Sequence, residues 1–201
     1  SLWLDYIDRT MLSNGDLARR IAEDALTGMT SNPTIFEKAL AEGAAYDAQL
    51  ATVPSSLSDR DAFFEVAATD VRQACDAFRT VYDRTLGVDG FVSLEVSPDL
   101  ARDTAGTVAE ARRLWAIVDR PNLMIKVPGT PEGAEAIRQL IADGINVNVT
   151  LLFSIDAHAR VIEAYLSGLE ARAAAGLPID RIGSVASFFV SRVDSAIDKQ
   201  L

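Results

Sequence analysis

The stretch INVNVT at 145–150 alternates without exception, with Ile145, Val147 and Val149 against Asn146, Asn148 and Thr150. Successive side chains of a strand point to opposite faces, so this strand has one face for packing and one that is polar. The same sorting holds in GFVSLEV at 90–96, where Val92, Leu94 and Val96 oppose Phe91, Ser93 and Glu95. In NLMIKV at 122–127 it sets Leu123, Ile125 and Val127 against Asn122, Met124 and Lys126. A chain with such strands must find a fold in which a polar strand face is enclosed.

The other strand-like pieces are LWLD at 2–5, GMTSN at 28–32 and IGSVASF at 182–188. Helical patterns separate them, most clearly over 61–84, where Phe63, Ala67, Val71, Ala74, Phe78 and Val81 recur three or four apart and form one apolar stripe. Further helical spacing runs over 16–27, 34–50 with a break at Gly43, 100–118, 132–142, 155–175 and from 190 onward. Gly176 and Pro178 supply a stop after the helix of 155–175. The segment ATVPSSLSDR at 51–60 reads as a loop inside an insertion after the second strand.

Strand alternating with helix predicts βα units and a parallel sheet. An open doubly wound sheet wants both strand faces apolar, because helices cover both. These strands do not comply, and a closed TIM-type (β/α)8 barrel does accept them, since inward residues near the C-terminal strand ends floor a site opened by the βα loops. Asp5, Asn32, Glu95, Lys126, Asn148, Thr150 and Ser187 all sit at or near such ends. Taken singly, each has a bland explanation: Asp5 and Asn32 as turn or cap residues, Thr150 as a plain β-former, Lys126 as an exposed strand end. Their convergence on one rim is what favours a site. His158 falls in a helical stretch and reads as a surface or satisfied helix residue, and Cys75 follows the buried stripe into the core.

Composition narrows the chemistry. At 201 residues and 49% hydrophobic content, the chain reads as a single α/β-barrel domain over 1–201. A net charge of −10 argues against a nucleic-acid surface, and no apolar run reaches the roughly 18 residues that cross a membrane. The N-terminus lacks the layout of a signal peptide, and one cysteine with no Cys/His cluster excludes an internal disulfide and a zinc site, which together predict a cytoplasmic protein without a metal. An ordinary lysine is neutral in only about one molecule in 2,500 at pH 7. Burial is expected to favour the free amine of Lys126 and prepare it for Schiff-base formation with a carbonyl, with Glu95 and Asp5 moving protons. Asn32 and Asn148 can hold sugar hydroxyls, and no cofactor is called for because a protonated imine is itself the electron sink.

The segments TSNPTIF (30–36), VSLEVSP (92–98), IKVPGTPEG (125–133), INVNVTLLFS (145–154) and SVASFFVSR (184–192) resemble transaldolase, and the similarity runs through essentially the whole chain. The resemblance implies an (α/β)8 barrel that moves a dihydroxyacetone unit from sedoheptulose 7-phosphate or fructose 6-phosphate to an aldose phosphate acceptor, in the pentose phosphate pathway. It implies Lys126 as the Schiff-base lysine, Asp5 as the acid/base at the cleaved bond, and Glu95 as an acid/base working through a water that Thr150 helps position. Asn32, Ser93 and Asn148 would orient the substrate, and Ser187 and Arg192, with Phe189 beside them, would meet its phosphate. Gly129 stands where the family often has Ala.

Only about six strand-helix units can be counted where the barrel needs eight, so the barrel is expected to be truncated in this chain, and a chain so built should be unstable or sticky alone. Two other readings stay open: a fructose 6-phosphate aldolase that releases dihydroxyacetone to water, and a non-catalytic barrel fragment of a longer polypeptide. Sugar phosphates are the expected partners, with no nucleic acid and no membrane. Monomer and homodimer are both compatible with the sequence.

Overall fold

The computed structural model of the chain describes residues 1–42 and 44–201. Six strands follow one another in a single sheet in chain order: β1 (Trp3–Asp5), β2 (Gly28–Thr30), β3 (Val92–Glu95), β4 (Leu123–Pro128), β5 (Val147–Leu152) and β6 (Ser184–Phe188). The helices between them are α1 (Arg9–Ser13), α2 (Asp16–Glu23), α3 (Pro33–Glu42), α4 (Asp47–Leu50), α5 (Asp59–Arg84), α6 (Thr104–Val118), α7 (Pro131–Asp143) and α8 (Ile155–Ala174), with α9 (Val190–Asp198) after β6. Six parallel strands with helices between them are the βα units of a TIM-type barrel, as the strand parity predicts.

Each expected element is present within a few residues, and α1 is an addition that five residues could not announce by periodicity. The helical pattern over 34–50 resolves into α3, a 3-10 turn at Ala44–Tyr46 and α4, while Gly43 itself lies outside the described residues. Among the described residues no helix is long and apolar enough to cross a membrane, and no group of three or more His, Cys, Asp or Glu side chains could hold a metal ion.

The chain divides into two compact parts, residues 1–95 with 112–125 and residues 96–111 with 126–201. In the first, β1, β2 and β3 pair in parallel, and the N–H of Val92 donates to the carbonyl of Asn122 at the start of β4. Helix α5 supplies its core through the predicted Ala67, Val71, Ala74, Phe78 and Val81 together with Phe64 and Cys75, while the predicted Phe63 is only half-buried. Ser58 caps that helix by accepting from the N–H of Asp61 at 3.1 Å. Gly28 is required by close approach: a Cβ there would lie 2.5 Å from the Trp3 ring.

The same part contains a buried ionic knot. Asp70, on α5 and fully buried, accepts from the Arg9 guanidinium at 2.9 Å and from the Tyr46 hydroxyl at 2.8 Å. Arg9 also stacks over the Tyr46 ring at 4.3 Å and donates to Gln49, and its own N–H donates to the Tyr46 oxygen. Burial pushes the Asp70 carboxyl above the usual Asp value, outweighing the opposing pull of Tyr46 and Arg9. Burial, helped by Asp70, likewise raises the Tyr46 phenol, which therefore stays a donor. The knot fastens the 3-10 turn and α4 of the insertion to α1 and α5, which a loop of polar residues could not do by packing.

In the second part, β5 pairs in parallel with β6, and β4 joins β5 through the Gly129 N–H donating to the Thr150 carbonyl at 2.8 Å. Helix α7 starts with Thr130 capping the Gly133 N–H and Pro131 in its first turn, and stops at Gly144 in the left-handed region at φ 90°. Ile137, Leu140 and Ile141 of α7 are fully buried, and Val161 and Ala164 of α8 are buried as well.

Candidate active site

Strand parity decides which side chains converge. In the first part, the register places Asp5 opposite Thr30 and Thr30 opposite Ser93, so three neighbouring strands offer an acid and two hydroxyls at one level and on one face. Asp5 is exposed and Ser93 fully buried. Asn32, just beyond β2, accepts from the Ile35 N–H at 3.0 Å through its side-chain oxygen, so it does cap α3, as its bland reading holds. The cap fixes the amide plane, and Asn32 lines one narrow crevice with Glu95, Ser31, Phe36 and Phe63. Ser31 ties the floor by donating to the Ser93 carbonyl at 2.8 Å.

Thr30 is a residue the sequence reading passed over. Its hydroxyl oxygen is buried and hydrogen-bonds to no group among the described residues, and in the register it pairs with both Asp5 and Ser93. The signal was available, because Thr30 and Asn32 share parity in TSN. Asn122 and Asn146 share the polar parity but lie at strand beginnings and serve the fold. The Asn122 amide donates to the Cys75 and Gly90 carbonyls, and the Asn146 oxygen accepts from the Gly183 N–H.

In the second part, Lys126 is only 6% exposed within a strand whose six residues are all buried, so its bland reading as an exposed strand end fails. Asn148 and Thr150, on β5, are 2% and 1% exposed. Ser187 of β6 donates to the Asn148 side-chain oxygen at 3.0 Å, which joins two of the expected substrate-binding residues directly. Between Val149 and Leu152 the register slips, and Leu151 takes a left-handed backbone at φ 61°. A bulge of this kind re-aims the side chains around it, here Thr150, at the end of a strand. Phe189 precedes α9, and the Arg192 guanidinium stacks on its ring at 4.4 Å, with Phe153 on the ring at 5.9 Å. Arg192 is exposed. A Cβ at Gly129 would meet the end of the Leu152 side chain at 2.5 Å, a contact that a rotation of Leu152 relieves.

His158 and Cys75 fall where the sequence puts them. His158 is half-buried on α8 with its ring edge-on to Phe188 at 5.1 Å, and Cys75 is fully buried, where desolvation raises its thiol far above the usual value.

Lys126 is thus buried on β4, and an amide, Asn148, and a hydroxyl, Thr150, are buried on β5. The sequence model of the family described as Transaldolase/Fructose-6-phosphate aldolase matches residues 2–201. The chain belongs to the transaldolase/fructose-6-phosphate aldolase family. Curated relatives named Transaldolase include one from Thermobifida fusca, 55% identical over 202 aligned residues that cover 100% of this chain and 55% of the relative. Another, from Thiobacillus denitrificans, is 52% identical over 100% of this chain and 56% of its own length. A third, from Trichodesmium erythraeum, is 49% identical over 98% of this chain and 52% of its own length. The chain thus spans about half the length of the curated relatives it matches.

Proposed function

We propose that the protein is a transaldolase, moving a dihydroxyacetone unit from sedoheptulose 7-phosphate or fructose 6-phosphate to an aldose phosphate in the cytoplasm, through an imine on Lys126. The observation that carries this reading is Lys126 itself, a lysine kept 6% exposed inside β4 of a chain that belongs to this family. A buried amine at that place needs a reason, and nucleophilic attack on a ketose carbonyl supplies one.

In the proposed sequence, Nζ of Lys126 adds to the ketose carbonyl carbon and water leaves, giving the protonated imine. Asp5 takes the proton from the hydroxyl at the bond to be cleaved, and the electrons of that bond flow into the imine as the aldose phosphate departs. Glu95, acting through a water positioned with Thr150, handles the protons of imine formation and hydrolysis. The acceptor aldehyde then attacks in reverse and the imine is hydrolysed. Asn32, Ser93 and Asn148 orient the dihydroxyacetone unit, while Ser187 and Arg192, beside Phe189, hold the phosphate.

The family description also names fructose-6-phosphate aldolase, which keeps a second reading in view: release of dihydroxyacetone to water. Product analysis with fructose 6-phosphate separates the two. A transaldolase yields a new ketose phosphate when an aldose phosphate acceptor is present and little free dihydroxyacetone without it. An aldolase yields free dihydroxyacetone in both cases, and a non-catalytic scaffold yields neither product.

A further inference from the structure

We propose that Glu110 is a positioning residue for Lys126, an inference that rests on the reading of Lys126 as the imine-forming lysine. Glu110 lies on α6, 8% exposed, beside the buried Thr107, Val108 and Ala111. Packing alone would be served by an apolar side chain, and a carboxylate buried there must be compensated by donors. Two of them come from one residue: the Ser97 N–H at 2.5 Å and the Ser97 hydroxyl at 3.1 Å. The carboxylate therefore grips a backbone peptide together with its side chain.

That peptide is one residue from the lysine strand. The N–H of Val96 donates to the carbonyl of Lys126 at 3.2 Å, so the Val96–Ser97 pair is bonded to the peptide of Lys126 at one end and to Glu110 at the other. The turn that follows is tied to the exit of β4 as well. Thr130 donates to the Ala101 carbonyl at 2.6 Å, and Thr104 donates to the Glu132 carbonyl at 2.8 Å. The segment 96–110 is thus tied at three places, through Val96, Ala101 and Thr104, to the end of β4 and the start of α7, all within one compact part of the chain. A displacement of about 1 Å at a reacting group costs about 10²-fold in rate. Releasing Ser97 loosens the segment whose Val96 N–H bonds to the lysine carbonyl.

The geometry makes the test selective. In Glu110→Gln the amide oxygen still accepts from the Ser97 N–H, and the amide nitrogen donates to the Ser97 hydroxyl, which can donate or accept. In Glu110→Leu the packing stays and both bonds go. Each variant is compared with wild type in kcat and KM for fructose 6-phosphate with a saturating aldose phosphate acceptor, and in the rate of borohydride-trapped adduct at saturating substrate, per folded molecule. Expected for Glu110→Leu is a 10- to 100-fold fall in kcat and in trapping rate with KM within threefold. Glu110→Gln is expected within about threefold of wild type in all three. Ser97→Ala, which removes only the hydroxyl bond and keeps the buried carboxylate and its backbone donor, is the milder variant and is expected to lose two- to fivefold in kcat at constant KM.

A wild-type kcat in Glu110→Leu, or in Ser97→Ala where the leucine variant does not fold, overturns the proposal. So does a Glu110→Gln as damaged as Glu110→Leu, or a loss that falls on KM. A wild-type protein that forms no adduct at all sinks the imine reading first and this inference with it, and so is told apart from a Glu110-specific failure.

Discussion

Asp70 and Glu110 are both carboxylates buried on long helices, and they serve different ends. Asp70 answers a cation and a phenol from α1 and the insertion, and its bonds hold helices and a turn together. Glu110 answers the backbone and hydroxyl of Ser97, and its bonds lead to the peptide of Lys126. The cost of burying charge is met at Asp70 by partners that join secondary-structure elements, and at Glu110, on the proposal above, by partners that lead to the peptide of the proposed imine-forming lysine. Stability and turnover should therefore separate between the two positions.

The largest effect that could break this division is at Asp70. Asp70→Ala leaves the Arg9 guanidinium with its buried partner gone, and should lower stability by about 3–5 kcal/mol in a denaturant titration. The adduct yield per folded molecule should stay at the wild-type level, and a parallel loss of adduct would erase the contrast with Glu110. Replacing both charges, as Arg9→Met with Asp70→Leu, should restore more than half of that loss, since apolar packing commonly substitutes for an ion pair. No recovery would mean that Tyr46 and Gln49 depend on the charges more than the pair itself does.

A pH titration sharpens the same point at intermediate size. The folded carboxyl of Asp70 is held above the ordinary 3.8 by burial, so the folded state binds this proton more tightly than the unfolded state does. The group's contribution to stability is fully present below 3.8 and is lost as pH rises through the folded value. Relative to Asp70→Asn, wild type should lose stability over that rise, and a difference that is flat or grows with pH would contradict the assignment of burial as the dominant cause.

The smallest effect concerns the β5 bulge. Leu151 holds φ 61°, which β-branched residues avoid, so Leu151→Ile should cost about 1–2 kcal/mol while Leu151→Gly stays near neutral. Equal costs for the two would show that the side chain, and not the backbone, governs this position.

Most of the fold was legible because strand parity and helix periodicity are local. INVNVT and the stripe of α5 each declare their own element, and six strand-helix alternations declare the class. Lys126, Asn148 and Thr150 were legible for the same reason, since a polar residue on a strand's inner parity is visible in the sequence itself. Thr30 was legible in principle, sharing the parity of Asn32. Helix α1 was not, because five residues hold less than two turns of pattern. Glu110 and Asp70 were not either, since an acidic residue on an amphipathic helix looks like any solvated one until partners from outside the helix, Ser97 thirteen residues away and Arg9 sixty-one, are placed against it. The Leu151 bulge leaves no mark in an apolar run.

On the proposed function, Lys126 forms the imine. Intact-protein mass after incubation with fructose 6-phosphate and borohydride tests it, next to Lys126→Ala. One reduced dihydroxyacetone adduct is expected on wild type and none on the variant. An adduct that persists in Lys126→Ala, or none on folded wild type, would contradict it.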